Sequence, residues 1–293
     1  EAVEWNIEEG AKWTAWVRGT FTPEADTAWK TYWEEVAAEA GIQLEVVIFN
    51  GQDQVELYNA ALESGNIPDI MFMASAICSG YLGNDQLLPL NDMIEKIEAQ
   101  NNVHFFDEML DYWTINGNVY TVPSVAESRV LIYRKDMLAE AGYDNPPETW
   151  EELREIAKAI TDPEKGIYGF GEPFGSCFDT ITNQSLSMLW AWDACEIDAE
   201  GNVSINSENT LALINFLKAM SMVDGSIPPS AIGWDDSGNN TAYLSGQVAM
   251  IINPPTVITA LQTGGLDDIL ANTGLAVLPA GPNGTRTAAS NTQ

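Results

Sequence analysis

Residues 12–73 read KWTAWVRGTFTPEADTAWKTYWEEVAAEAGIQLEVVIFNGQDQVELYNAALESGNIPDIMFM, and their hydrophobic pattern switches repeatedly between strand and helix repeats. Lys12 to Gly19 is a short strand. Thr22-Pro23 then supplies an N-cap and the proline favoured in a first helical turn. Ala25, Trp29, Tyr32, Trp33, Val36, Ala37 and Ala40 recur at three- and four-residue steps until Gly41, so the spacing predicts a helix whose aromatics face a core. Gln43 to Phe49 is rich in β-formers, Asp53 to Ser64 has helical spacing, and Pro68 to Met73 is another buried strand. The order β-α-β-α-β argues for a mainly parallel sheet covered by helices, with ligands bound beyond the carboxyl ends of its strands. Arg18 to Phe21, Asn50 to Asp53 and Ala74 to Cys78 would line that edge.

Further along, Asn116-Gly117 sits between two short alternating runs and predicts a hairpin with a primed turn. Ser128 to Tyr133 reads as a strand and Asp136 to Ala141 as a short helix closed by Gly142. Thr149-Trp-Glu-Glu152 is a capping box opening a helix through Leu153, Ile156, Ala157 and Ile160. Helices near 182–192 and 207–223 follow, the second with an apolar face through Leu211, Ile214, Leu217 and Met222. The polar loop Gly233 to Asn240 opens one more helix, before strands at Val248 to Asn253 and Gly274 to Leu278.

The totals restrict function. The 293 residues are 45% apolar, enough for one large core or two medium ones. Twelve Lys and Arg against 43 Asp and Glu give a net charge of −31, and the sole histidine is His104. Such a surface repels phosphate backbones, so nucleic acid is not an expected partner. Cys78, Cys177 and Cys195 lack the close spacing of a zinc site, and no metal or cofactor is expected. Cys177 and Cys195 could bridge in an oxidising compartment or remain buried thiols. No apolar run approaches the roughly 18 residues of a membrane span. No signal peptide stands at Glu1, so a mature chain is expected from which any export signal has been removed.

A series of segments in one order carries a resemblance: Ile67-Pro-Asp-Ile70, Leu87-Leu-Pro-Leu-Asn-Asp92, Asn116-Gly-Asn-Val-Tyr-Thr-Val-Pro123 and Leu131-Ile-Tyr-Arg-Lys-Asp-Met137. Pro147-Glu-Thr-Trp-Glu-Glu-Leu153, Leu244-Ser-Gly-Gln-Val-Ala-Met250 and Leu275-Ala-Val-Leu-Pro-Ala-Gly281 continue it. The chain resembles the extracellular (periplasmic) solute-binding proteins, family 1, of carbohydrate ABC importers, the family that includes maltose-binding protein. The resemblance implies an α/β, two-lobed periplasmic-binding-protein fold of type II, each lobe a mainly parallel sheet flanked by helices, joined by crossing hinge strands. It implies an N-terminal lobe of residues 1–125, to which 279–293 return, and a C-terminal lobe of residues 126–278. Crossings are expected near Val125 to Ser128 and Val277 to Pro279. A ligand would lie between the lobes and be enclosed by their closure. Relatives continue for about a hundred residues more, so a C-terminal part is expected to be missing. The implied role is to bind a sugar or oligosaccharide outside the cytoplasmic membrane, free in a periplasm or lipid-anchored at the cell surface, and deliver it to a membrane permease.

Sugar binding needs flat apolar faces for C–H groups and polar side chains for hydroxyls. By resemblance Glu127 follows the first crossing, Arg18 ends the first strand, and Ala74 and Ser75 follow the third. Met73 stands where relatives carry an aromatic residue. Trp234 and Asp235 place an indole beside a carboxylate outside any apolar periodicity. Trp190 and Trp192, two apart, cannot share a helical face, so one belongs to a core and the other to a binding wall. Asn253 ends a strand before Pro254-Pro255, and Thr256 replaces the aromatic that relatives often carry.

Two other readings use the same composition. A cationic solute such as a polyamine would suit an acidic, aromatic box on this fold. A glycoside hydrolase would need two carboxyl groups about 5 to 10 Å apart, and 43 acidic residues offer no means of selecting a pair. No nucleophile elbow, phosphate loop or His-Glu-x-x-His helix is present, so binding without catalysis is the expectation.

Overall fold

The computed structural model describes residues 8, 10–20, 22–72, 81, 87–123 and 126–292. The chain divides into two compact units, one of residues 1–126 with 291–293 and the other of residues 127–290.

In the first unit β1 (Lys12–Arg18), β2 (Gln43–Phe49) and β3 (Ile70–Met71) form a parallel sheet in the order β2-β1-β3. Parallel neighbours need crossovers, supplied by helices α1 (Pro23–Glu39) and α2 (Gln54–Ser64). Helices α3 (Asn91–Asn101) and α4 (Asp107–Tyr112) follow, then the hairpin β4 (Thr114–Ile115) and β5 (Asn118–Val119). Asn116 and Gly117 both have positive φ, 53° and 81°, as a type I′ turn requires. The core gathers Phe49, Tyr58, Tyr81, Ile94, Trp113 and Val119.

The expected aromatic core face of α1 is not found. No α1 residue is fully buried; Trp29 and Tyr32 are 46% and 62% exposed, and only Trp33 among its aromatics is partly covered. Part of the inner side is polar: Lys30 Nζ donates to Val46 O over 2.9 Å. Apolar residues surround much of this helix, so their period could not select the face turned to the sheet.

The second unit begins within β6 (Ala126–Ser128) and ends within β11 (Ser290–Thr292), which pair as a two-stranded ladder. Its main sheet has the order β10-β7-β9-β8, built from β7 (Val130–Arg134), β8 (Tyr168–Gly171), β9 (Val248–Asn253) and β10 (Thr273–Ala276). Only β8 and β9 are parallel; β7 runs against both β9 and β10. This sheet is mixed rather than mainly parallel, because β7 continues the chain's entry from β6 and takes its direction from that crossing, not from a βαβ turn. Every residue of β9 is buried. Leu131, Met250 and Ile252 enter one core, and Ile132, Val248 and Ile251 the other, so both sheet faces are covered.

Helices α5 (Lys135–Glu140) and α6 (Trp150–Ile160) follow β7. The helix over residues 178–191, α7, has a π-helical middle, Ile181–Met188. Helix α8 (Glu208–Lys218) runs into a π-helical turn, Ala219–Val223. Leu213, Phe216, Leu217 and Met220 are its buried face, while Leu211, Ile214 and Met222 are exposed. Both faces carry apolar residues at helical steps, and packing against Trp192 decides between them. Helices α9 (Gly238–Leu244), α10 (Thr256–Thr263) and α11 (Asp267–Asn272) complete the unit.

The return crossing lies later than expected. Residues 279–290 belong to the second unit, not the first. Hydrogen bonds hold them there: Ala280 N donates to Glu148 O (2.8 Å), Trp150 N to Ala280 O (3.0 Å), and Ala289 N to Ser187 Oγ (2.9 Å). Breaking these backbone partners at residue 279 would strand buried polar groups.

The capping box closes as the sequence predicts: Glu152 N donates to Thr149 Oγ1 (3.2 Å) and Thr149 N to Glu152 Oε2 (3.3 Å). Helix α6 buries Trp150, Leu153, Ile156 and Ala157 in the larger core. Thr149→Ala should therefore lower stability by about 1 kcal/mol, and urea unfolding of that variant beside the parent chain measures the loss.

Candidate functional site

The second unit contains a buried polar cluster that originates in one interruption. The expected strand from Ser128 to Tyr133 is broken at Arg129, between β6 and β7. Arg129 N donates to Ala289 O (3.1 Å), anchoring the entering chain to the departing one. Its side chain is buried, with Nη2 2.9 Å from Asp179 Oδ1 and Nη1 donating to Asn253 Oδ1 over 3.0 Å. Asn253 closes β9, and its Nδ2 donates to Asn239 Oδ1 (3.2 Å) and to Asn240 Oδ1. Asn239 Nδ2 donates in turn to Asp179 Oδ2 (3.2 Å) and Ile252 O (3.4 Å). Asp179 N donates to Asp236 Oδ1 (3.0 Å), which ties the cluster to the loop before α9.

Glu172 is the second carboxyl of this region, one residue beyond β8 and fully buried. Gln184 Nε2 donates to its Oε1 (3.2 Å) and Asn183 Nδ2 to its Oε2 (3.5 Å). Burial pushes the Glu172 carboxyl well above its ordinary range, and nearby Asp179 adds to the effect. Burial also raises Asp179, opposed by Arg129. Both groups lie at the carboxyl ends of buried strands or on the helix that covers them, where an open α/β sheet presents ligand-binding groups.

Of the residues selected from sequence, Asn253 lies within this cluster, with its amide committed to Arg129, Asn239 and Asn240. Trp234 is half-buried and touches both cores of the unit. Its fit is close: a Cβ on Gly238 would lie 2.4 Å from Trp234 Cβ, and one on Gly175 would lie 2.2 Å from Trp234 O. Asp235 is exposed and accepts from Ser237 N (2.9 Å) and Ser237 Oγ (2.7 Å), bonds that hold its carboxyl below the usual range. Trp190 is 40% exposed, whereas Trp192 is a core residue. The Trp192 ring lies 5.9 Å from Trp150 and 5.0 Å from Phe216 between centroids, so its faces serve packing and not a ligand.

Glu127 lies in β6, and its side chain is outside the described residues. Arg129, two residues on, is paired with Asp179. In the first unit Arg18 ends β1 beside Phe49 and lies over Gly51, where a Cβ would meet Nε at 2.3 Å. Ala74, Ser75 and Cys78 fall outside the described residues. Cys177 and Cys195 are free thiols beside the Thr180 and Ser204 hydroxyls, each at 3.2 Å. Sequence reading missed Glu172, Asp179, Asn239 and the buried role of Arg129. The available signal was Gly171-Glu172-Pro173, a carboxylate immediately after an apolar strand.

The profile of the family "Bacterial extracellular solute-binding protein" matches residues 20–293. The chain belongs to this family. A maltooligosaccharide ABC transporter solute-binding lipoprotein of Streptococcus pneumoniae is 27% identical over 92% of this chain and 61% of the relative. A probable ABC transporter-binding protein of Deinococcus radiodurans is 27% identical over 73% of the chain and 50% of the relative. The chain thus spans about half to three fifths of these curated relatives. In fold it resembles the maltose-bound MalE3 of T. maritima, with a TM-score of 0.85 and 23% identity over 97% of this chain and 71% of that one. The likeness supports the type II solute-binding fold.

Within this solute-binding protein, Arg129→Met should be among the costliest single changes, because it leaves Asp179 buried without its cation. Loss of one partner from a buried pair costs about 3 to 5 kcal/mol. Urea unfolding should show that loss, with partial recovery when Asp179→Leu is added.

Proposed function

We propose that this chain is the substrate-binding component of an ABC importer, that it binds a sugar or oligosaccharide, and that it delivers the ligand unchanged to a membrane permease. The family match over residues 20–293 carries the reading. The ligand class is supported by the maltooligosaccharide-binding relative of Streptococcus pneumoniae and by a maltotriose-binding protein of Pyrococcus abyssi, 23% identical over 76% of the chain and 46% of the relative. The place of action is outside the cytoplasmic membrane, in keeping with the family's description, and a lipid anchor like that of the streptococcal lipoprotein would retain it at the cell surface.

The ligand's contacts in the second unit are assigned to Trp234, Asp235 and Trp190. Trp234 offers an indole steadied by two cores, suited to the C–H face of a sugar ring. Exposed Asp235 can accept ligand hydroxyls, and 40%-exposed Trp190 supplies a further apolar face. Arg18, Ala74 and Ser75 are the first unit's candidate contributions, and Glu127 that of the crossing strand. Asn253 acts one layer behind, by fixing the Asn239-Asn240 end of the loop. The cationic-solute reading is weakened by Asp179, whose charge is already balanced by Arg129.

Thermal melts with maltotriose, maltose and spermidine test the class. A saturating oligosaccharide should raise the melting temperature, by an amount equivalent to about 2.7 kcal/mol at a hundred times Kd, and chromatography should recover it intact. Stabilisation by spermidine alone, or release of reducing ends, would overturn the reading. Trp234→Ala should weaken oligosaccharide binding in the folded fraction by about 2 kcal/mol or more, read by calorimetric titration.

A further inference from the structure

We propose that Glu172 and Asp179 are a one-proton pair in the second unit, with Glu172 holding the proton at neutral pH, so that alkali loosens the unit by charging Glu172. The inference rests on the charge balance of the buried cluster and is independent of the ligand's identity.

The groups around Glu172 come from every element packed on it. The 178–191 helix contributes Asn183 and Gln184, which are neutral, and Asp179, which is anionic when ionised. The break between β6 and β7 contributes Arg129. Behind Asp179 stand Asp236, whose Oδ1 accepts from the Asp179 amide, and the neutral amides of Asn239 and Asn253. Among these described residues Arg129 is the single cation, and it is committed to Asp179 at 2.9 Å and to Asn253 at 3.0 Å. One guanidinium can neutralise one of the two buried carboxylates. Leaving a second ionised in a site fully removed from water carries a large desolvation cost, which a bound proton avoids.

The hydrogen bonds agree with this assignment. Among the described residues Glu172 receives two amide contacts, at 3.2 and 3.5 Å, both longer than a charged carboxylate normally draws. The Asn183 Nδ2 that approaches Glu172 is shared with Ile252 O at 3.3 Å, so the Glu172 carboxyl draws little from it. Burial, the largest influence on Glu172, acts in the same direction.

The linkage has a definite sign. In the unfolded chain Glu172 titrates near its ordinary value of about 4.3, whereas in the native cluster it titrates well above. Between those values the native state holds one proton more than the unfolded state, so the contribution to stability is full below the unfolded pKa and is lost as pH rises through the native one.

The test compares the 293-residue chain with Glu172→Gln, which keeps the shape and neutrality of the protonated acid. Melting temperatures measured from pH about 7 to about 9, above the ordinary carboxylate range, should diverge, the variant gaining on the parent as pH rises. A difference that stays constant or reverses would overturn the proposal. Infrared spectra provide a readout that does not require the variant to fold: the parent should show the carbonyl band of a buried carboxylic acid at neutral pH and lose it in alkali. Absence of that band would also overturn the proposal. In Glu172→Gln the band should be absent at neutral pH; its persistence there would refute the assignment of the proton to Glu172.

Discussion

The second unit depends on a guanidinium that water scarcely reaches. Arg129 joins three things that are distant in sequence: the departing chain at Ala289, the helix that starts with Asp179, and the end of the central strand at Asn253. Its charge cannot be left alone in that position, so Asp179 must be there. Asp179 in turn needs the Asn239 amide and the loop that carries Asp236. The break between β6 and β7 follows from the same demand. A continuous strand would commit Arg129 to a ladder, whereas the interruption sends its amide to Ala289 and its side chain into the cluster. The entry, the exit and the middle of the sheet are thereby fixed through one residue.

What the sequence disclosed about the fold was whatever is decided within a few residues. The Asn116-Gly117 turn and the Thr149 to Glu152 capping box are local chemistry, and both formed as expected. The alternation of strands and helices in the first unit is equally local, since each period is set by its own segment. The faces of α1 and α8 were not legible. Trp29 and Tyr32 share their helix with Trp33, and Leu211 shares its helix with Leu213, so which apolar row turns inward depends on neighbours that periodicity does not represent. The late return of the chain was hidden for a related reason. Ala280 and Ala289 are held by backbone hydrogen bonds, and backbone groups are the same at every residue.

The candidate site divides along the same line. Trp234 stood out because an indole in a polar loop breaks the local pattern, and Asn253 because it ends an apolar strand. Glu172 and Asp179 were two acids among 43. Nothing near them in sequence distinguishes a carboxyl that will be buried from one that will be solvated. Net charge is no guide either: most of the −31 lies where water screens it, while the cluster contains one cation and two buried carboxyls. Trp190 and Trp192 show that even a correct division of roles left the assignment open. Only the packing of Trp192 against Trp150 and Phe216 decides it.

The loop that carries Trp234 and Asp235 is continuous with the cluster. Asp236, the next residue, accepts from the Asp179 amide, and Asn239 and Asn240 bond the amide of Asn253. Trp234 itself rests on both cores, and the tight approach of Gly238 to its Cβ and ring restricts the indole. A side chain held in this way has lost most of its conformational entropy before any ligand arrives, so the ordering cost of using it on binding is small. The same connections carry effects in the other direction. A change that disturbs Arg129, Asp179 or Glu172 shifts the support of Trp234 without touching it, and binding by this loop and stability of the unit are two readings of one network.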